Sequence, residues 1–180
     1  MRRGDVYLDY SALESRCRFE TLRRSGPGGQ NRNKVETGVR FYHLATGLVG
    51  EATELRAQGK NRRNALERLR LKLALTQRES VELHACGGVG EEGLSSREDF
   101  RWFARLQAGR LCVSCESFDY PILVAEFFDV FYACGYDLKR TSALLETSSS
   151  QIIKFLSARP VALETLNRLR ESIGAGRLRP

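Results

Sequence analysis

No run of eighteen apolar residues occurs in the chain, so no stretch reads as a membrane span. The opening residues Met1-Arg2-Arg3-Gly4-Asp5 lack the apolar core of a secretory leader, which gives the expectation of a cytoplasmic protein. Cysteine is sparse: Cys17, Cys86, Cys112, Cys115 and Cys134 are odd in number, lack the dense spacing of a secreted scaffold and read as reduced thiols. Cys112-Val-Ser-Cys115 has the spacing of a metal-ligand pair, but a structural zinc needs a second pair, and only His84 and Cys86 offer one. Two half-buried thiols are therefore the expectation, with no metal and no cofactor. The first segment also offers no carboxylate pair and no Ser-His-Asp set. His43 is tempting as a base but reads better as a structural histidine, and Glu36 as a salt-bridge or sheet-surface residue.

What is present suits a soluble domain: 180 residues, 42% hydrophobic and 28% charged, are enough to bury a core. The net charge of +7 is unevenly spread. Residues 1–75 hold 16 Lys/Arg against 8 Asp/Glu, residues 76–116 hold 5 against 7, and residues 117–180 hold 8 against 7. The basic surface therefore belongs to the first segment, and it fits a folded polyanion held through its phosphates better than stacked single-stranded bases or a membrane.

Periodicity gives an α+β chain. Asp9–Glu14 reads as a short helix capped by Asp9 or Ser11, and Cys17–Leu22 as a half-buried strand. A second strand runs to His43, with Val35, Val39 and Phe41 on one face; Thr46-Gly47 turns the chain into a partner strand over 48–55. A long helix follows over 60–83, with Leu66, Leu69 and Leu73 toward the core and Arg63, Arg68, Arg70 and Lys72 elsewhere around it. Four glycines between 84 and 97 mark a boundary, and 98–109 reads as a helix with Phe100, Trp102, Phe103 and Leu106 in its core. Beyond Pro121, Val124, Phe127, Phe128 and Phe131 form an apolar stripe that Gly135 ends. Asp137 can cap the next helix, Ser148 to Gln151 has a capping-box pattern, and Pro160 opens a fourth helix. The expected domains are 1–83, a connector over 84–116, and a helical tail over 117–180. Short helix, turn, short helix also describes a helix-turn-helix. A small bundle is the preferred reading, because the tail is nearly neutral and its third helix offers only Gln151 and Lys154 as readers.

The most unusual stretch is Arg23-Arg24-Ser25-Gly26-Pro27-Gly28-Gly29-Gln30-Asn31-Arg32-Asn33-Lys34. Glycine permits close approach of the backbone to another molecule, Pro27 stiffens the run, and the flanking cations suit phosphates. Taken alone, the run is equally well a plain turn; the spacing of a nucleotide-phosphate loop fails, since no Gly-Lys-Ser/Thr closes it.

Ser25-Gly-Pro-Gly-Gly-Gln30, then Asn33-Lys34-Val35-Glu36-Thr37, Val39-Arg40, His43-Leu-Ala-Thr46-Gly47, Arg56-Ala-Gln58, Asn61-Arg62 and Ala65–Arg70 resemble the catalytic domain of class I peptide release factors and their shortened ribosome-rescue relatives. The resemblance covers about residues 16–75. It implies a compact domain with a short sheet on a long helix. It also implies hydrolysis of the peptidyl-tRNA ester at the peptidyl transferase centre of the large ribosomal subunit, with Gly28, Gly29 and Gln30 catalytic. Arg23, Arg24, Arg32, Asn33, Lys34, Gln58, Asn61 and Arg62 are the implied RNA contacts, with Gln58 and Asn61 equally placed to brace the loop. Gln30 is an implied target of a glutamine methyltransferase acting on its amide nitrogen. Two local departures are Ala45 where the family commonly has proline, and Asn31-Arg32 where it commonly has His-Val. The tail leaves no room for a recognisable stop-codon reader and is too neutral to resemble the basic extension of rescue factors. A non-catalytic ribosome- or RNA-binding regulatory module on the same fold is the alternative.

Overall fold

The computed structural model describes residues 4–23, 36–85, 92–94 and 97–180. The chain divides into one unit spanning Arg3–Thr76 and a second spanning Gln77–Pro180. Both are described as mixed helix and sheet, the α+β class expected.

The first unit begins with a 3-10 turn, Asp5–Tyr7, and helix α1, Tyr10–Glu14. Asp9 caps α1, its carboxylate accepting the Ala12 amide at 2.7 Å. Strands β1 (Cys17–Leu22), β2 (Gly38–His43) and β3 (Val49–Ala52) form an antiparallel sheet in the order β1-β2-β3. The register pairs Phe19 with Phe41 and Phe41 with Gly50. With side chains alternating across the sheet, Val39, Phe41 and His43 are buried while Arg40 and Tyr42 stay half-exposed.

Helix α2, Gln58–Thr76, covers the buried face. Leu66, Leu69 and Leu73 join Leu13, Val39, Phe41, Ala52 and Ala65 in one core, each large side chain contributing about 1.5–3 kcal/mol by leaving water. The approach of α2 to β3 depends on Gly50: a Cβ there would collide with the Ala65 carbonyl and come within 2.7 Å of the Leu69 Cβ. Arg70, expected on the outside of the helix, is instead fully buried. Its guanidinium donates to the Val6 carbonyl, at 2.7 Å from Nη2, and lies over the Tyr10 ring, so it ties the N-terminal turn and α1 to α2.

α2 also ends earlier than expected, at Thr76 and not near 83. The Thr76 hydroxyl bonds back to the Lys72 carbonyl at 2.8 Å, and just beyond it Arg78 and the Glu79 amide are both held by the Asp129 carboxylate at 3.1 Å. Tertiary capture by the second unit's own core helix outweighs the helical propensity of residues 77–82. The division of the chain accordingly falls at Thr76/Gln77, and the described residues between 84 and 116 are grouped with the second unit.

In the second unit, β4 (Leu83–Ala85) pairs with β5 (Glu92–Leu94), followed by a 3-10 turn at Arg97–Asp99 and the short helix α3, Arg101–Ala104. The longer helix expected to reach Gly109 is interrupted by a hairpin, β6 (Leu106–Gln107) with β7 (Arg110–Leu111), turning through Ala108 and Gly109 at φ 47° and 74°. Trp102 and Phe100 are buried as expected, whereas Phe103 and Leu106 are only half-buried. The organising element is α4, Tyr120–Ala133, in which every residue from Tyr120 to Phe131 is buried. An apolar stripe alone would be amphipathic; a helix buried on all sides is the centre of a small domain. Its two buried acids are satisfied, Glu126 accepting the Arg101 and Trp102 amides at 2.8 Å and Asp129 holding Arg78.

Around α4 lie α5 (Leu138–Leu144), α6 (Ser149–Ser157) and α7 (Pro160–Ser172). α4 stops in a Schellman motif, Gly135 taking φ 64° while the Tyr136 amide reaches the Phe131 carbonyl at 2.9 Å. α5 stops in the same way, with the Thr147 amide on the Ser142 carbonyl at 3.0 Å, but there the left-handed residue is Glu146 at φ 52°. A non-glycine residue pays about 1–2 kcal/mol for that conformation. Asp137 and Ser148 cap α5 and α6, Ser148 accepting the Gln151 amide at 3.2 Å.

Candidate functional site

The catalytic candidates Gly28, Gly29 and Gln30, together with Arg24, Arg32, Asn33 and Lys34, lie outside the described residues. What the structure describes is the base on which they are strung. Leu22 closes β1, Gly38 opens β2, and the two residues are register partners, so residues 23–37 form the link between adjacent antiparallel strands.

Both ends of this link are tied down, and Glu36 is the common point. Its carboxylate accepts the Thr21 hydroxyl at 2.6 Å and pairs with the Arg23 guanidinium at 2.9 Å. These two contacts, the Thr21 hydrogen bond first and the Arg23 charge second, hold its carboxyl below the usual carboxylate range. The salt-bridge role expected for Glu36 is thus observed, with the further consequence that it clips the outgoing strand to the incoming one.

α2 supplies the second clamp from its first turn. Gln58 Nε2 donates to the Glu36 carbonyl at 3.0 Å. Asn61, three residues on and therefore on the same side of the helix, donates from Nδ2 to the carbonyls of Thr37 at 2.7 Å and Leu55 at 2.8 Å. Its Oδ1 accepts the Leu55 amide at 3.0 Å. Asn61 is completely buried, and of the two roles expected for it, RNA contact and brace, its hydrogen bonds are those of a brace. Gln58 is exposed and braces through its amide nitrogen. Arg62 is exposed too, but it is ion-paired to Glu14 and lies over the Phe19 ring at 5.3 Å, linking α1, β1 and α2. Arg23 keeps two thirds of its side chain exposed despite its pair with Glu36.

Cation use separates scaffold from surface. Arg40 pairs with Glu51, Arg63 with Glu67, Arg68 with Glu54 and Arg18 with Glu20. Lys72 donates to the Val49 carbonyl at 2.6 Å. By contrast Arg56 and Lys60, on either side of Gln58, are exposed and have no acidic partner among the described residues. Composition could count these cations but could not say which were left over.

His43 is structural, at a strand end as expected. Its Nδ1 meets the Thr46 hydroxyl at 2.8 Å inside the β2–β3 turn, and its Nε2 lies 3.2 Å from Asp5 Oδ2, off-line for a hydrogen bond. Arg16 shares the Asp5 carboxylate. The Asp5 partnership had no local signal in the sequence, because it arises only when the N-terminal turn folds over the sheet. Cys17 is half-buried, and burial, with Glu14 and Asp5 nearby, pushes its thiol up to about 11. Cys112 is exposed and Cys115 half-buried; among the described residues no three His, Cys, Asp or Glu side chains are grouped to hold a metal ion.

A three-stranded sheet thus lies on a long helix, and the glycine-rich segment belongs to the link between its first two strands. Residues 8–87 match the family model of the RF-1 domain. Among similar curated proteins are peptide chain release factor 1 of Xylella fastidiosa, 39% identical over 75 residues, and peptide chain release factor 2 of Paramagnetospirillum magneticum, 41% identical over 69 residues. These cover 42% and 38% of this chain, and 21% and 19% of the relatives. Peptide chain release factor 1 of Chloroherpeton thalassium is 44% identical over 81 residues, covering 42% of this chain and 23% of that protein. The chain thus spans about a fifth of the length of the curated relatives it matches. No helix among the described residues is long and apolar enough to cross a membrane.

Proposed function

We propose that this protein is release-factor-like and promotes hydrolysis of the peptidyl-tRNA ester in the peptidyl transferase centre, in ribosome rescue without stop-codon decoding by its own domain. The observation that carries this reading is the position of Ser25-Gly-Pro-Gly-Gly-Gln30 in the chain: it falls in the link between β1 and β2 of an RF-1 domain, and both ends of that link are clamped by Glu36, Gln58 and Asn61. A clamped base lowers the entropy cost of presenting the tip to a partner.

In the proposed reaction, Gly28 and Gly29 let the main chain come close to an ester walled by RNA. The Gln30 backbone N–H donates to the oxyanion or to the departing ribose hydroxyl. Its side-chain amide, neutral and a donor and acceptor at once, orients water without acting as a strong base. Water adds to the ester carbonyl, the tetrahedral intermediate collapses, and the peptide leaves as an acid while the tRNA regains its hydroxyl. Arg23, Arg24, Arg32, Asn33, Lys34 and Arg62, together with the exposed Arg56 and Lys60, are the proposed contacts to ribosomal RNA phosphates. The Gln30 amide is the proposed site of methylation, which an intact-mass shift in protein from its native host would reveal.

The test is peptide release from ribosomes carrying peptidyl-tRNA, with and without a stop codon in the decoding site. Gly29→Ala is expected to abolish release while ribosome binding persists, and wild-type release is expected not to depend on the codon. Equal release by wild type and variant overturns the catalytic role and leaves the binding-module alternative.

A further inference from the structure

Residues 137–157 contain two short helices joined by a turn, which the release reading does not use. α5 has seven residues and α6 nine, and the turn between them passes through the left-handed Glu146. α4, buried along nearly its whole length, is the element they rest against. α6 turns Ile152, Phe155 and Leu156 inward, leaving Ser150 and Lys154 exposed and Gln151 partly so. From Ser149 to Ser157 it contains no acidic residue.

Beside the start of α6 lies an open concavity of about 500 Å³, whose lining includes Arg110, Ser142, Glu146, Thr147, Ser148 and Gln151. Arg110 reaches it from the β6–β7 hairpin, a contribution that reading the tail alone does not reveal. Arg110, Lys139 and Lys154 are exposed and have no acidic partner among the described residues. Glu146, the carboxylate in that lining, is ion-paired with Arg97, so it does not oppose an incoming anion.

We propose that this face, α6 together with Arg110, binds the backbone of double-helical RNA. The charge is complementary, and the short hydroxyls of Ser148 and Ser150 with the Gln151 amide suit phosphate oxygens and ribose 2′-hydroxyls across a wide, shallow minor groove. On α6 only Gln151 and Lys154 are long enough to reach base edges, which is poor equipment for a recognition helix in a DNA major groove. The choice of RNA over DNA rests on the release-factor reading of the first unit; the docking face itself does not.

The experiment uses the full chain and two fluorescent duplexes of identical sequence, one RNA and one DNA, with anisotropy followed over a salt series. Wild type is expected to prefer the RNA duplex. The variant carrying Lys154→Glu and Arg110→Glu is expected to bind it at least about tenfold more weakly, with a shallower dependence on salt. Gln151→Ala, which leaves charge unchanged, is expected to weaken RNA binding with the salt slope preserved. Circular dichroism and Trp102 fluorescence check that each variant is folded. Unchanged RNA affinity in the folded charge variant overturns the proposal, as does tighter binding of the DNA duplex. Gly29→Ala separates the two readings: it is expected to lose release and keep duplex affinity, so a failure of catalysis leaves this face standing, and the converse.

Discussion

The two units solve the same problem, how to hold charged groups near a small core, in opposite ways. In the first, an amphipathic helix covers one face of a three-stranded sheet, and arginine stitches the elements together: Arg70 to Val6, Arg62 to Glu14 and Phe19, Arg68 to Glu54. In the second, an apolar helix is buried on all sides, and it is buried carboxylates that organise their surroundings, Glu126 gripping two amides of α3 and Asp129 gripping Arg78 and the Glu79 amide. A basic composition therefore does not translate directly into a basic surface. Among the described residues of the first unit most of the positive charge is tied into the architecture, Arg23 included through Glu36, whereas Arg56 and Lys60 are exposed without an acidic partner.

The contrast can be broken most severely in the second unit. Phe127 is fully buried and stacks on Phe131 with centroids 5.5 Å apart. Phe127→Ala is expected to cost about 3–5 kcal/mol, read as a lower denaturation midpoint by the fluorescence of Trp102, the single tryptophan in the chain. An unchanged midpoint would mean that α4 is not the centre of that unit.

A smaller effect belongs to the first unit's brace. Asn61→Ala leaves the Leu55 amide and the Thr37 carbonyl without their partner and is expected to cost about 1–3 kcal/mol. If Asn61 acts through the link it braces, peptide release falls further than stability alone explains, and Asn61→Asp, which keeps an acceptor for the Leu55 amide but sets a buried carboxylate oxygen against the Thr37 and Leu55 carbonyls, does not recover it. Hydrogen exchange at Gly38 and Val39 would show the loosened strand end directly.

The smallest effect is a dependence on pH. Burial opposes ionisation of Asp119, but hydrogen bonds and charge from Arg105 and Arg101 outweigh it and hold its carboxyl below its ordinary 3.8. A depressed carboxyl stabilises the folded state above its unfolded value, and that contribution disappears as pH falls through the folded value. Acid titration below about pH 4, followed at Trp102, should therefore lower the midpoint more steeply in wild type than in Asp119→Asn. Parallel curves would show that the pairs of Arg101 and Arg105 with Asp119 contribute nothing to holding α3 to the start of α4.

Much of the fold was legible in the residues because their local signals agree with the packing. Cys17–Leu22 alternates as a strand and is one, the Asp9, Asp137 and Ser148 caps are where side chains compete best for free helix amides, and Gly135 takes the left-handed turn that ends α4. The misjudged places are those where a distant partner wins. Thr76 ends α2 because Asp129 captures the next residues, and residues 105–111 form a hairpin where the apolar spacing suggested helix. Arg70 is buried because Val6 and Tyr10 fold over it. Asn61 carries a motif position, but its neighbours Thr37 and Leu55 meet only in the folded unit.

By itself, then, the order of residues carried the likeness to the RF-1 domain over residues 8–87 and, through apolar period and caps, the helices that follow Tyr120. Tertiary structure alone decided which cations among the described residues lack an acidic partner, which polar side chains brace the β1–β2 link, and that Arg110 stands beside α6. Those properties depend on distances between residues far apart in the chain, and only the burial of a shared core sets such distances.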